Sequence, residues 1–118
     1  MELYDRPMTE FVAGFIGSPK MNLLPGEAIG RHDVKTVGIR PEHLRADHES
    51  GDWPATAKVV ETLGADTVVY ADAGALGEIT VRLPGNMRLN AGERLFLSPE
   101  PGNLHLFDKD GNRMEQTS

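Results

Sequence analysis

The stretch ATAKVVETLGADTVVYADA, residues 55–73, decides the fold. Its two halves, 55–63 and 66–73, are rich in Val, Thr and Tyr, and Gly64-Ala65 divides them. β-Branched and aromatic side chains suit a pleated, half-buried surface. A two-residue gap that contains glycine is a hairpin signal. The stretch therefore reads as two antiparallel strands joined by a tight turn, in a mainly β chain.

Working outward, GEITVRLPG at 77–85 is the cleanest strand, with Ile79, Val81 and Leu83 facing in and Thr80 and Arg82 facing out. The stretch 90–102 gives a turn, a strand over 93–98 and a proline-rich stop, and residues 103–108 give a last short strand. DKDG at 108–111 is a turn, and the tail 113–118 is expected to fray. Toward the N-terminus, residues 45–53 are polar and read as a loop. KTVGI at 35–39 alternates, with Val37 and Ile39 on one face, and MNLLPGEAI at 21–29 is apolar until Pro25-Gly26 breaks it. Several short strands at this spacing predict a small barrel or sandwich.

One helix is expected, over 5–17. Asp5 caps it, Pro7 suits its first turn, and Gly17-Ser18-Pro19 stops it. Met8, Phe11, Val12 and Phe15 fall at i, i+3, i+4 and i+7 and make a docking stripe. The opening residues are already charged and helix-like, so the chain is expected to be a piece of a longer polypeptide.

The composition narrows the function. With 118 residues the chain is long enough to bury a core without staples. The 13 Gly and 8 Pro favour turns over long helices. A net charge of −6, with 12 basic residues scattered singly, argues against a nucleic-acid partner. The absence of cysteine excludes disulfides and thiolate metal sites. No segment approaches the roughly 18 apolar residues of a membrane span.

Chemistry-bearing residues are sparse. Glu42, His43, Asp47 and His48 crowd together, but two histidines five apart on a polar loop lack the supported geometry of a metal site. Neither a Gly-x-Ser-x-Gly elbow nor a cysteine nucleophile is present. GFIGSP at 14–19 ends the expected helix instead of opening one, which is the wrong polarity for phosphate. Trp53, Tyr70 and Asp72 make a tentative ligand set, an aromatic platform with polar company for a sugar-like molecule.

VGIRPEHL, residues 37–44, closes an apolar run with a cation, a proline, an acid and an imidazole. Pro41 cannot donate to a ladder, so strand pairing should end there. The residue before a proline is held extended. Arg40, Pro41, Glu42 and His43 are thus expected to form a structural or interface corner. The arginine would fix one strand end to another chain segment or to a second subunit.

FVAGFIGSPKMN at 11–22, VGIRPEHL at 37–44, VVETLGADTVVYA at 59–71 and HLFDKDGNR at 105–113 together resemble the C-terminal region of ATP-binding subunits of carbohydrate-type ABC importers, those for maltose and glycerol-3-phosphate. The resemblance covers nearly the whole chain in order. It implies an OB-like β domain, the transport-associated OB domain, preceded by one N-terminal helix. The implied organisation is a helix and linker at 1–19 from a nucleotide-binding domain, the OB-like domain at 20–112 and a tail at 113–118. It implies a regulatory and dimerising role with no catalysis of its own; the alternative is a sensor of a small ligand, a sugar or an anion. No cofactor is expected in this chain, ATP and Mg belonging to the nucleotide-binding domain. The implied partners are a second copy, that domain and the membrane-spanning transporter subunits, at the cytoplasmic side of the inner membrane. One departure stands out: only residues 27–36 separate the MNLLPG and VGIRPEHL stretches, where the family often carries a longer β insertion.

Overall fold

The computed structural model describes Thr9, residues 20–85 and residues 88–114. The expected helix over 5–17, with its stripe of Met8, Phe11, Val12 and Phe15, lies outside the described residues. These contain short 3-10 turns and strands: β1 (Asn22–Pro25), β2 (Thr36–Ile39), β3 (Leu44–Asp47), β4 (Trp53–Leu63), β5 (Asp66–Asp72), β6 (Glu78–Pro84), β7 (Arg94–Pro99), β8 (His105–Phe107) and β9 (Arg113–Met114).

The strands form two antiparallel sheets, in the orders β1-β2-β8-β9 and β3-β7-β4-β5-β6. They belong to two compact units. One runs up to Arg40 and resumes at Pro101; the other is Pro41–Glu100, inserted between them with a proline at each crossing. The mainly β, short-stranded, antiparallel reading holds, but a closed barrel does not form. In the inserted unit β6 runs close to β3 and to the 3-10 turn Pro41–His43, yet no ladder joins β3 to β6. Only four residues long, β3 has little to offer, and Pro84 at the end of β6 has no N–H to donate.

Each sheet follows from its pattern. The turn between β4 and β5 is Gly64-Ala65, and Gly64 takes a φ of 66°, as the primed turns of two-residue hairpins require. Ile79, Val81 and Leu83 of β6 are buried as expected, opposite Ala71, Val69 and Thr67 of β5. In the other unit, all four residues of β2 are buried, and β1 and β8 pair with its two edges. Val37 and Ile39, expected on one face, are both fully buried.

Two local readings are corrected. Residues 44–47, expected in part as loop, form β3 against β7, with Arg45 opposite Ser98 and Asp47 opposite Phe96. Leu44 and Ala46 alternate with the exposed Arg45 and Asp47, but four residues are too short a run to stand out from the polar stretch that follows. Arg113 and Met114, expected to fray, pair with Phe107 and Leu106. The DKDG turn makes that pairing possible: the Asp108 carboxylate accepts from the backbone N–H groups of Asp110 and Asn112 at 2.9 and 3.0 Å.

Candidate functional site

Residues 37–44 run from a strand end through a 3-10 turn into β3. The ladder of β2 ends at Ile39, the last residue paired with β1. Arg40 follows, only 3% exposed, then the 3-10 turn Pro41–His43, then β3. Pro41 is buried and Glu42 is exposed. The two ends of the inserted unit are tied by the backbone, since the N–H of Glu100 donates to the carbonyl of His43 at 2.9 Å. His43 contributes its main chain to this closure. Its ring Nδ1 is sealed from solvent without a hydrogen-bonding partner among the described residues.

A cleft of about 570 Å³ opens between β3 and the end of β6, lined by Glu42, Arg45, Asp47, Arg82, Phe96 and Glu100 among others. Arg82 is already committed, its Nε and Nη2 donating to Asp66 Oδ2 at 2.8 Å each. Asp47 accepts from the backbone N–H groups of Glu49 and Ser50 at 2.7 and 3.1 Å, which holds its carboxyl below the usual range. With carboxylates outnumbering uncommitted cations, the cleft is poorly suited to an anion.

A second cleft, of about 480 Å³, brings together Trp53 and Asp72 of the tentative ligand set, along with Asp52, Thr56, Leu76 and Arg94. Both have roles within the fold. Trp53 is 4% exposed and packs in the core. The carboxylate of Asp72 accepts from the N–H of Gly74 at 2.9 Å and shapes the following turn. Tyr70 is not among the lining residues; its hydroxyl donates to Glu61 at 3.1 Å.

That bond to a carboxylate, with lesser help from burial, raises the Tyr70 ionisation above tyrosine's ordinary value. Any stability it adds is fully present below that ordinary value and is lost as pH rises through the folded midpoint. Glu61→Gln is expected to lower the midpoint of Tyr70 in an ultraviolet pH titration; an unmoved midpoint would contradict the assigned bond.

The 42–48 cluster does not assemble. Among the described residues no group of three or more His, Asp or Glu is placed to hold a metal ion. His48 lies 3.8 Å from Glu93, both well exposed. Nor does any helix among the described residues have the length and apolarity to cross a membrane.

One feature escaped the sequence. Val59 and Leu63 are 50% and 56% exposed on the far half of β4. A β-bulge between Ala57 and Val59 shifts the register. Strict alternation from Trp53, Ala55 and Ala57 would carry Val59 and Leu63 inward; the extra residue turns them out.

The TOBE domain profile matches residues 37–107 of this chain, across the corner, the hairpin and β8. The chain belongs to the TOBE domain family. It is 39% identical over 134 residues to the sn-glycerol-3-phosphate import ATP-binding protein UgpC of Ruegeria pomeroyi, covering 98% of this chain and 38% of that protein. The Paracoccus denitrificans protein of the same description is 40% identical over 134 residues, with the same coverage. An uncharacterized ABC transporter ATP-binding protein, y4oS, of Sinorhizobium fredii is 41% identical over 132 residues, covering 92% of this chain and 34% of its own length. The chain thus spans well under half the length of these relatives. An alignment of 134 positions against a TOBE chain of 118 residues also means that the relatives carry segments this one lacks. The short 27–36 connection begins in the 3-10 turn Gly26–Ile29, which ends at Gly30 in a left-handed conformation.

Proposed function

We propose that this TOBE domain is the C-terminal regulatory and dimerising part of the ATP-binding subunit of an ABC importer for a sugar or glycerol-3-phosphate, with no catalysis of its own. The observation that carries this reading is the match over 37–107, joined to near-complete coverage of this chain by ABC importer ATP-binding proteins. Its working partners are a second copy, the nucleotide-binding part of the same subunit and the membrane-spanning subunits, at the cytoplasmic face of the membrane. ATP and Mg act in the nucleotide-binding part. The residues of this chain do not fit them: the sequence has no glycine-rich phosphate loop ending in Lys-Ser or Lys-Thr.

Reading the chain as a ligand sensor gains less support, because Trp53 is buried in the core and Tyr70 does not line the cleft that holds Trp53 and Asp72. The test is to delete this segment from the parent subunit. ATP hydrolysis by the remaining part is expected to persist while dimer mass and control by transport substrate are lost. Unchanged mass and control after deletion, or hydrolysis by the isolated 118-residue chain, would overturn the reading.

A further inference from the structure

The return from β8 to β9 is organised by one residue, Asp108. Its N–H donates to the carbonyl of Asn112, and its carbonyl accepts from the N–H of Gly111, both at 2.9 Å. Its Oδ1 accepts from the N–H groups of Asp110 and Asn112 at 2.9 and 3.0 Å. Asp110 enters this scheme through its N–H and is otherwise exposed. Gly111 takes a φ of 82°, in the left-handed region where a side chain is strained, so the turn calls for glycine there. That demand creates the only Asp-Gly pair in the chain, and the sequence has no Asn-Gly. An aspartate before glycine is a chemically weak point, because no side chain shields the following nitrogen from its carboxyl.

We propose that Asp110-Gly111 is a site of spontaneous isomerisation to isoaspartate, that the Asp108 turn restrains the reaction, and that conversion releases β9. The main-chain nitrogen of Gly111 attacks Cγ of Asp110. The N–Cγ bond forms, the hydroxyl of the protonated carboxyl leaves with the amide proton as water, and a succinimide ring closes. Water then adds to the ring carbonyl that came from the main chain and breaks its bond to the nitrogen. The chain now runs through Cβ and Cγ of Asp110, and the former main-chain carbonyl is a free carboxylate. The water lost in the first step is regained in the second, so no other reactant is needed.

The native turn opposes the first step. The nitrogen of Gly111 is committed to the carbonyl of Asp108, and it must turn toward the Asp110 side chain to react. Conversion therefore draws on a locally opened turn. Its product does not fit the closed one. One added main-chain carbon separates Asp110 from Gly111, so the N–H groups of Asp110 and Asn112 no longer reach the same Asp108 oxygen. β9 has only Arg113 and Met114 with which to hold on, paired to Phe107 and Leu106. The bond from Arg113 Nη1 to His105 Nδ1, at 3.0 Å, goes with it.

The test is timed incubation of the 118-residue chain in mildly acidic solution, where aspartate carboxyls are partly protonated. The tryptic fragment ending at Arg113 is then read by electron-transfer fragmentation, which distinguishes isoaspartate from aspartate. The expected result is isoaspartate at Asp110, preceded by a species lighter by one water. Asp110→Glu, whose longer side chain closes a ring far less readily, is expected to show neither. Asp108→Ala, with a folded circular dichroism spectrum, is expected to convert about three- to tenfold faster, since it loosens the turn. Hydrogen exchange of the converted chain is expected to show lost protection at Arg113 and Met114, with β4, β5 and β6 unchanged. Absence of isoaspartate at Asp110 in both the native and Asp108→Ala chains overturns the site. Equal rates in those two chains overturn the restraint, and unchanged protection of Arg113 and Met114 after conversion overturns the release of β9.

Discussion

Phe107→Ala is expected to destabilise the chain by about 3–5 kcal/mol, the range for emptying a fully buried aromatic site. Phe107 has no exposed surface and packs with Met21. Its strand is flanked on both sides, by β2 and β9, and its carbonyl accepts from the N–H of Lys35 at 2.9 Å. A backbone pinned in this way cannot collapse into the void. Domains of this size have a net stability of roughly 5–15 kcal/mol, so the loss takes a large share of it. A urea transition followed by far-ultraviolet circular dichroism is expected to move to a much lower midpoint with an unchanged slope. Trp53, the only tryptophan, lies in the unit Pro41–Glu100, so its fluorescence reports separately on the unit that does not hold Phe107. A loss below about 1 kcal/mol would mean that the site repacks, against the geometry described.

Gly26→Ala is expected to cost about 3 kcal/mol, at the upper end for overpacking. A Cβ at Gly26 would stand 1.8 Å from the carbonyl oxygen of Val34 and 2.9 Å from that of Arg31. Both obstacles are main chain and cannot swing aside. They are also part of the turn that Gly26 closes, its N–H donating to Lys35 at 3.0 Å and its carbonyl accepting from Arg31 at 3.3 Å. Gly38→Ala is the control. There the nearest atom to a new Cβ is the sulfur of Met21, at the flexible part of a side chain that can yield. The expected order is therefore a large drop in melting temperature for Gly26→Ala and a smaller one for Gly38→Ala. The reverse order would contradict the tight turn described at Gly26.

The hairpin and the cleanest strand were legible because both depend on local physics. Gly64 supplies the turn, and the alternation of Ile79, Val81 and Leu83 sets the buried face. The end of β2 was legible too, since Pro41 has no N–H to continue the ladder beyond Ile39. Partner choice was not. That Phe107 pairs with Thr36 depends on contacts about seventy residues apart, and periodicity carries no trace of them. β3 was missed because a four-residue edge strand with one wet face looks like a polar loop. The exposure of Val59 and Leu63 was not legible either, because a single bulged residue reverses the phase of β4 and turns them outward. Trp53 was offered as a ligand platform because a lone tryptophan beside a polar loop invites that reading. The structure instead seats it at the start of β4, opposite Leu97, in the core.

The family assignment rests on motifs that turned out to be structural. The GIRPEHL stretch is a strand end, a buried arginine and a 3-10 turn that starts the inserted unit, and HLFDKDGNR is a strand with its capped return. These features hold strand ends and turns in place. The central claim is thus that this TOBE domain serves an ATPase located elsewhere in the same polypeptide. Its most direct test is to read the coding frame upstream of Met1. The expected result is a continuous frame encoding a phosphate-binding loop and an ABC signature within about two domain lengths. A stop codon immediately upstream, with no ATPase in frame, would contradict the claim.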